Sequence, residues 1–407
     1  MLAKPERFKM LLFIILGYGS YQLMRLNISM IGPALKEEMG FDNEQLGLIF
    51  SAFTIVYALS RIVSGIIADR VNPALFLIIG LGGSALCNSF FALSGVLANF
   101  ILFWGMNAFF QSMGAPSCAK ILKFSVKKDK MGTYWALWSA NAPIGGALSL
   151  LFLGYAIPVW GWRTATFISV GVCGLIALIV YWGIKTLPIK FAENKDSPSA
   201  NKAFASLNVA YFKEVYTNKQ FIRVCIASFC LYSIRVGLFT WLPLIMREVK
   251  GADMKLTGIM SAFFEVGSLA GGLLAGWISD RYFNGKRGTV GAFYMGATAV
   301  MIAVLWIAPI EHTFFYTLIV IVFGFLAFGP QVLAGVAAVD HASHKTVGLA
   351  TGSISLFGYL GATFTSYILG PISDHLGWGW GFVLTIVLAL IGAYFFGSSY
   401  RNAPVHS

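Results

Sequence analysis

Runs of about 20 apolar residues, broken by short polar connections, recur from one end of the chain to the other. That is the length at which an α-helix crosses a hydrocarbon layer. Twelve runs can be marked, near residues 10–33, 44–68, 74–96, 98–122, 131–156, 164–185, 221–246, 256–279, 289–309, 314–338, 346–370 and 378–398. A polar stretch from Lys185 to Lys219, containing Pro188 and the run Glu193 to Ser199, separates six from six. The pattern predicts an all-α integral membrane protein in which residues 1–186 and 221–407 form two six-helix bundles, joined by a linker at 187–220. The end of the linker, Phe204 to Tyr216, mixes Leu207, Val209, Phe212 and Val215 with Lys213 and Glu214, a composition suited to a short helix lying on a membrane surface.

The halves repeat each other. Arg25 and Arg235 each interrupt an apolar run, and each stands 26 residues before the tripeptide Ser-Ala-Phe, at Ser51-Ala52-Phe53 and Ser261-Ala262-Phe263. Gly65 to Asp69-Arg70 closes the second run, as Gly276 to Asp280-Arg281 closes the eighth. Trp160-Gly161-Trp162 after the fifth is echoed by Gly377-Trp378-Gly379-Trp380 after the eleventh. Three features in register indicate an internal duplication, the arrangement by which transporters place a site near the bilayer midplane between two halves.

Composition narrows the class further. Hydrophobic residues make up 57% of the 407 positions and charged residues 11%, which excludes an ordinary soluble domain. The net charge of +12 raises the question of nucleic acid, but its distribution answers it. With both termini on one side, 21 of the 29 Lys and Arg fall on that side, five on the other and three inside spans. This is the positive-inside bias of a membrane protein with cytoplasmic termini, here expected in a bacterial inner or plasma membrane, with no nucleic-acid partner. The first run is too long for a cleaved signal, carries Arg25 and lacks a small-residue cleavage site, so it is expected to stay as a helix. The five cysteines all fall within spans and show no metal-ligand spacing.

Charged residues inside spans then point to chemistry. A charge in mid-helix costs about 2.5–3.5 kcal/mol on insertion scales, so it faces a partner, a cavity or a ligand. A guanidinium stays charged and presents a planar fork suited to carboxylate or phosphate, which makes Arg25 and Arg235 the first candidates for binding an anion. The alternative, pairing with a carboxylate in the bundle, can serve only one of them, because Glu265 alone lies at mid-span. Glu265 is expected as a fixed counter-ion to Arg235 or Arg61, with proton coupling as the other reading. Histidines stand away from mid-span, so a histidine relay is not expected.

Tyr18, Tyr21, Tyr57, Trp138, Tyr232 and Tyr359 are candidate cavity walls, though rings at helical spacing also serve as core. Asn27, Gln22 and Asn141 contact either a ligand or a neighbouring helix. Asp69-Arg70 and Asp280-Arg281, closing the repeated loops beside Gly65 and Gly276, are candidate gate residues. Ala142 to Ala147 around Pro143, and Gly329-Pro330, mark points where a helix can bend. No phosphate-cradling loop, metal-spaced set or paired mid-span carboxylates stand out, so neither an enzyme nor a cofactor is expected.

The repeated Gly-x-x-x-Asp-Arg loop resembles the signature of the major facilitator superfamily. Within it, Gly17-Tyr18-Gly19-Ser20-Tyr21-Gln22-Leu23-Met24-Arg25-Leu26-Asn27 is similar to the first-helix motif of the organophosphate:phosphate antiporter family, the glycerol-phosphate and hexose-phosphate transporters. Further similarity lies in Asp69 to Pro73, Gly114 to Cys118, Tyr232 to Arg235, Gly276 to Gly288 and Leu356 to Gly361, nearly the length of the chain. The resemblance implies the major facilitator fold, with Arg25 and Arg235 gripping phosphate. It also implies that Tyr18, Tyr21, Tyr57 and Tyr232 line the cavity, and that Arg61 takes the place of a family lysine. Two positions depart from the family, Leu26 where a lysine usually follows the arginine and Ala142 where a histidine is expected, and each removes a donor.

Three functions follow as expectations. The first is alternating-access transport of a small organic anion, with exchange for phosphate as the mode the resemblance suggests. The second is proton-coupled uptake of an amino acid or other carboxylate nutrient through Glu265. The third is a transporter-like membrane sensor of sugar phosphate. In each case the partners are a small anionic or zwitterionic metabolite, phosphate or a proton as coupling ion, and the bilayer around a monomer.

Overall fold

The computed structural model describes residues 4–187 and 209–399, apart from 69, 128–129, 284–285, 311–312, 341 and 343–345. All regular structure among these residues is helical, as a hydrocarbon environment requires of a single chain that must satisfy its own backbone. Most of the expected linker, residues 188–208, lies outside the described residues.

Span 1 is built from α1 (Lys4–Leu23) and α2 (Asn27–Met39), span 2 from α3 (Asn43–Ala68) and span 3 from α4 (Pro73–Leu93). Span 4 combines α5 (Leu97–Gln111) and α6 (Gly114–Ser125). Span 5 is α7 (Met131–Ser139) with the first limb of α8 (Asn141–Lys185), which folds back at Gly161 so that its second limb is span 6. A short helix, α9 (Val209–Thr217), occupies the end of the expected surface segment and leads into span 7. That span consists of α10 (Lys219–Tyr232), a widened π turn (Ser233–Leu238) and α11 (Phe239–Glu248). Spans 8 to 12 are α12 (Met254–Tyr282), α13 (Arg287–Ile307), α14 (Thr313–Asp340), α15 (Val347–His375) and α16 (Trp378–Ser399).

Nine segments among the described residues are individually long and apolar enough to cross a membrane. The difference from twelve has local causes. Spans 1 and 4 are each split, and spans 5 and 6 run on as one helix through Gly161, whose backbone (φ 76°, ψ 159°) makes the reversal. Polar caps fix where several spans begin. Asn72 accepts from the backbone of Ala74, Asn218 from Gln220 and Asp253 from Leu256, each satisfying a donor that the first helical turn leaves unpaired.

The first six spans meet the last six chiefly through two helix pairs, span 2 with span 11 and span 5 with span 8, and spans 1 and 7 touch as well. Both pairs close at the end of the bundle away from the chain termini, and small residues make this possible. A Cβ on Gly47 would stand 2.8 Å from the Tyr367 carbonyl, and one on Gly154 would stand 2.9 Å from the Cα of Gly258. Polar groups finish the seal. Lys36 Nζ lies 2.7 Å from Glu248, Arg247 pairs with Glu37, Asn43 Nδ2 donates to Ser373 Oγ, and the Glu44 backbone N–H donates to Asp374. Towards the termini the halves part. Gly65 on span 2, Gly276 on span 8 and Gly348 and Gly352 on span 11 have no neighbour that an added Cβ would meet.

The tryptophan echo finds its role at the closed end. Trp162 Nε1 donates to Glu38 at 2.8 Å and Trp378 Nε1 donates to Glu248 at 2.8 Å. Each indole follows a glycine of positive φ, Gly161 (76°) and Gly377 (84°), a conformation that costs little only without a Cβ. The two halves thus hold the outer ends of spans 1 and 7 in the same manner, but only Glu248 also pairs across to the other half.

Glu248→Gln keeps an acceptor for Trp378 and removes the ion pair with Lys36. Because both side chains are about a third exposed, the pair contributes at most about 1 kcal/mol. The variant is therefore expected to open the far end up to about fivefold more often. The readout is the rate at which an impermeant maleimide, applied from the side opposite the termini, labels Thr240→Cys in the central cavity. An unchanged rate would show that the pair does not hold this end shut.

Candidate functional site

Both mid-span arginines sit where their helices lose regularity. Arg25 lies in the break between α1 and α2, and Arg235 lies in the π turn of span 7. A departure from the α spiral at the same point of each repeat aims both side chains between the halves. They line a central cavity of about 260 Å³ together with Tyr18, Gln22, Thr54, Tyr57, Arg61, Tyr232, Glu265, Gln331 and Tyr359.

The charges divide unequally. Arg235 Nη2 contacts both oxygens of Glu265, at 2.9 and 3.1 Å, and the pair is almost entirely buried. Three rings enclose this guanidinium: Phe239, Phe264 and Phe328, with centroids 5.1–5.3 Å from Cζ. Its Nε is buried with no hydrogen-bond partner among the described residues, so the pair leaves donor capacity unused. Arg25 and Arg61 have no carboxylate partner among the described residues. They share a cage of tyrosines instead. Arg25 Nη2 donates to Tyr359 Oη at 3.3 Å and its Cζ lies 4.6 Å from the Tyr57 ring centroid, while Arg61 Cζ lies 5.9 Å from the Tyr359 ring. Tyr57 and Tyr232 pack on Tyr359 at 5.0 and 5.3 Å, joining span 2, span 7 and span 11 around the cations. Three guanidiniums and one carboxylate leave the cavity with two net positive charges. At an effective dielectric near 20, a unit anion about 4 Å from one guanidinium gains roughly 4 kcal/mol before desolvation is subtracted.

Of the residues expected at the site, Arg25, Arg235, Tyr18, Tyr57, Arg61, Tyr232, Tyr359 and Glu265 are brought together. Three are not. Tyr21 turns away from the cavity and donates its hydroxyl to the Leu77 carbonyl. Asn141 Nδ2 donates to the Ile15 carbonyl at 2.7 Å, pinning span 5 to span 1. Trp138 packs behind Tyr18 at 5.2 Å, supporting the wall without forming its surface. Among the expected gate residues, Arg70, Asp280 and Arg281 are exposed at the open end, and Asp280 lies 3.9 Å from Arg287 of its own half. Asp69 lies outside the described residues. The cavity also contains Thr54, Thr240, Gln331 and Phe328, which the sequence reading passed over. Only Gln331 carries a signal in hindsight, as an amide directly after the Gly329-Pro330 weak point.

Comparison with known proteins agrees with this architecture. Residues 14–365 match the sequence profile described as Major Facilitator Superfamily. The chain is 34% identical to the "Probable hexose phosphate transport protein" of Chlamydia trachomatis, over 97% of this chain and 91% of that one. It is 30% identical to the "Membrane sensor protein UhpC" of Escherichia coli, over 94% and 90%. A crystal structure of the nucleoside transporter NupG superposes with a TM-score of 0.81 at 15% identity, covering 97% of this chain and all of that one.

The unequal pairing makes a prediction about Glu265→Gln. Breaking a buried ion pair leaves its partner uncompensated, so the melting temperature of the ligand-free protein is expected to fall. The cavity gains a positive charge, so inorganic phosphate is expected to bind about tenfold more tightly and to restore more stability than it gives the wild type. Thermal unfolding with and without phosphate measures both. Loss of stability without any gain in phosphate response would mean that Arg235 does not face the ligand.

Proposed function

We propose that this chain, which belongs to the major facilitator superfamily and within it to the organophosphate:phosphate antiporter family, is a multi-pass secondary transporter of small organic anions, a sugar or glycerol phosphate exchanging for inorganic phosphate. The observation that carries the reading is the charge balance of the cavity, two net positive charges supplied by three guanidiniums from both halves. A phosphate monoester has a second pKa of about 6 and is close to a dianion at neutral pH. It matches that balance. A zwitterionic amino acid does not, and the relative named above is described as a probable hexose phosphate transport protein, so proton-coupled uptake of a carboxylate nutrient is set aside. The cavity lies below the roughly 300–1,000 Å³ of drug-sized pockets, which suits phosphate or one of its small esters.

In this reading residues 1–186 and 221–407 are two bundles that rock about the cavity, with 187–220 joining them. By the bias of basic residues the termini are cytoplasmic, the open end faces the cytoplasm and the protein lies in a bacterial inner membrane. Arg25 and Arg61 receive the anion, and Arg235 grips it from the other half as Glu265 yields. Bridging the halves in this way draws the open end together. Tyr18, Tyr57, Tyr232 and Tyr359 orient the guanidiniums and contact the ester, while Asp69-Arg70 and Asp280-Arg281 meet across the cytoplasmic end once it closes. The likeness to a membrane sensor supports a second reading, in which the same binding step is sensed by a partner and nothing crosses.

Proteoliposomes loaded with phosphate separate these readings. Labelled phosphate and hexose phosphate are expected to enter only when the lumen holds a phosphate compound, and a pH gradient alone is not expected to drive entry. Arg25→Ala and Arg235→Ala are each expected to reduce kcat/KM about 10- to 100-fold, the worth of a charge-assisted hydrogen bond. Gradient-driven amino-acid entry would overturn the proposal. Stabilisation by hexose phosphate without flux would replace it with the sensor.

A further inference from the structure

The break in span 1 places Met24, Arg25 and Leu26 outside regular helix, and no proline or glycine occupies those three positions. The turn stays bonded by backbone N–H groups, Met24 to the Tyr21 carbonyl at 3.1 Å and Arg25 and Leu26 to that of Gln22, but among the described residues no backbone donor reaches the Met24 carbonyl, and inside a bilayer something else must satisfy it. Side chains from spans 3 and 4 do. Asn107 Nδ2 donates to the Met24 carbonyl at 2.8 Å, Asn88 Nδ2 reaches the same oxygen at 3.4 Å, and Gln111 Nε2 donates to the Tyr21 carbonyl at 3.2 Å. The donors are themselves held. Ser84 Oγ donates to Asn107 Oδ1 and accepts from Gln111 Nε2 at 2.9 Å, and Asn88 Oδ1 accepts from Asn27 Nδ2 at 2.7 Å, just past the break. All five side chains are 0–3% exposed, and none of them lines the cavity.

Span 7 solves the equivalent problem differently. Around Arg235 the chain keeps a hydrogen-bonded spiral, widened to a π turn, and Ser233 Oγ donates to the Phe229 carbonyl and, at 3.0 Å, to that of Gly361. Among the described residues, only the first half braces its arginine-bearing turn with carboxamides borrowed from other spans.

We infer that Asn107, Gln111 and Asn88 are positioning residues of the carrier: they hold the broken turn of span 1 and, through it, aim Arg25 into the cavity. An amide donor is suited to this work because it grips a carbonyl without adding charge to a site whose charge balance selects the ligand. A regular helix would give the Met24 carbonyl a backbone donor, so the convergence of Asn107 and Asn88 on it, with Gln111 adding to the Tyr21 carbonyl that the Met24 N–H already bonds, identifies the broken turn as what they support. The inference adds to the phosphate-carrier reading a group of residues that never touch the ligand.

The test uses Asn107→Leu and Gln111→Met, which keep approximate size and remove the donors, in the full-length protein in detergent or nanodiscs. Hydrogen exchange over residues 21–28 is expected to rise in both, with exchange in spans 7 to 12 unchanged. Phosphate affinity is expected to fall about tenfold in Asn107→Leu, and no further when the same substitution is made in Arg25→Ala, because the effect runs through that side chain. Asn107→Gln, which restores a donor, is expected to recover part of the affinity. Unchanged exchange at 21–28, or an affinity loss that adds in full to that of Arg25→Ala, would overturn the inference. If Asn107→Leu fails to fold, Gln111→Met and Asn107→Gln decide it by the same two readouts. A wild-type protein that binds no phosphate would remove the carrier reading, and the exchange measurement would still decide whether the amides hold the turn.

Discussion

Charge in a low-dielectric layer must be balanced, and the whole centre of this protein is organised by the one place where the balance is left incomplete. Glu265 compensates Arg235 in a buried pair. Arg25 and Arg61 have rings and a tyrosine hydroxyl beside them but no counter-ion among the described residues. Such an arrangement is tolerable only if water or an anion completes it, because an uncompensated cation in hydrocarbon is expensive. The opening between the halves is therefore a condition of the site's stability as well as a route to it. The cage of Tyr57, Tyr232 and Tyr359 fits this demand, since ring faces soften the cost of a guanidinium without neutralising it.

The closed end works on different physics. There the halves meet through glycine-mediated backbone approach and through ion pairs that remain partly exposed, Lys36 with Glu248 and Arg247 with Glu37. Contacts of this kind are individually weak, and small residues build surfaces that separate without leaving large apolar cavities. A seal that must open and close in each cycle is better made from many modest contacts than from an apolar core. The indole bonds from Trp162 and Trp378 then serve each half separately, fixing the outer ends of spans 1 and 7 whether or not the halves touch.

Much of this was legible in the letters. Apolar run length gave the spans, because a helix is the only way a single strand of this kind can cross lipid. The repeated offset of Arg25 and Arg235 marked the centre, and the scarcity of mid-span carboxylates pointed Glu265 at an arginine. Facing was not legible. Tyr21, Trp138 and Asn141 have the chemistry of a binding wall, yet they face neighbouring helices, and in a bundle where nearly every face is apolar no periodicity separates cavity from packing. The tryptophan echo was visible as a repeat, but its partners Glu38 and Glu248 lie more than 120 residues away in sequence. The break at Met24-Arg25-Leu26 was hidden most completely. No helix breaker occupies it, and the donors that stabilise it are scattered over two other spans.

The two halves thus present their cations on unequal terms, and on the proposed reading this sets an order of events. An anion entering from the open end first meets Arg25 and Arg61, which have no carboxylate to give up among the described residues. Recruiting Arg235 requires competing with Glu265 for a guanidinium already engaged, and the competitor must bring enough charge to succeed. A monoanion satisfied by Arg25 alone has little left to offer. A dianion does, and only then does it link the halves through its own oxygens. Selectivity and closure then become one requirement, because the charge that identifies the ligand is the same charge that takes Arg235 from its carboxylate. The sequence repeat carries two equivalent arginines, and the mid-span carboxylate Glu265 on span 8 makes the second of them conditional on the ligand.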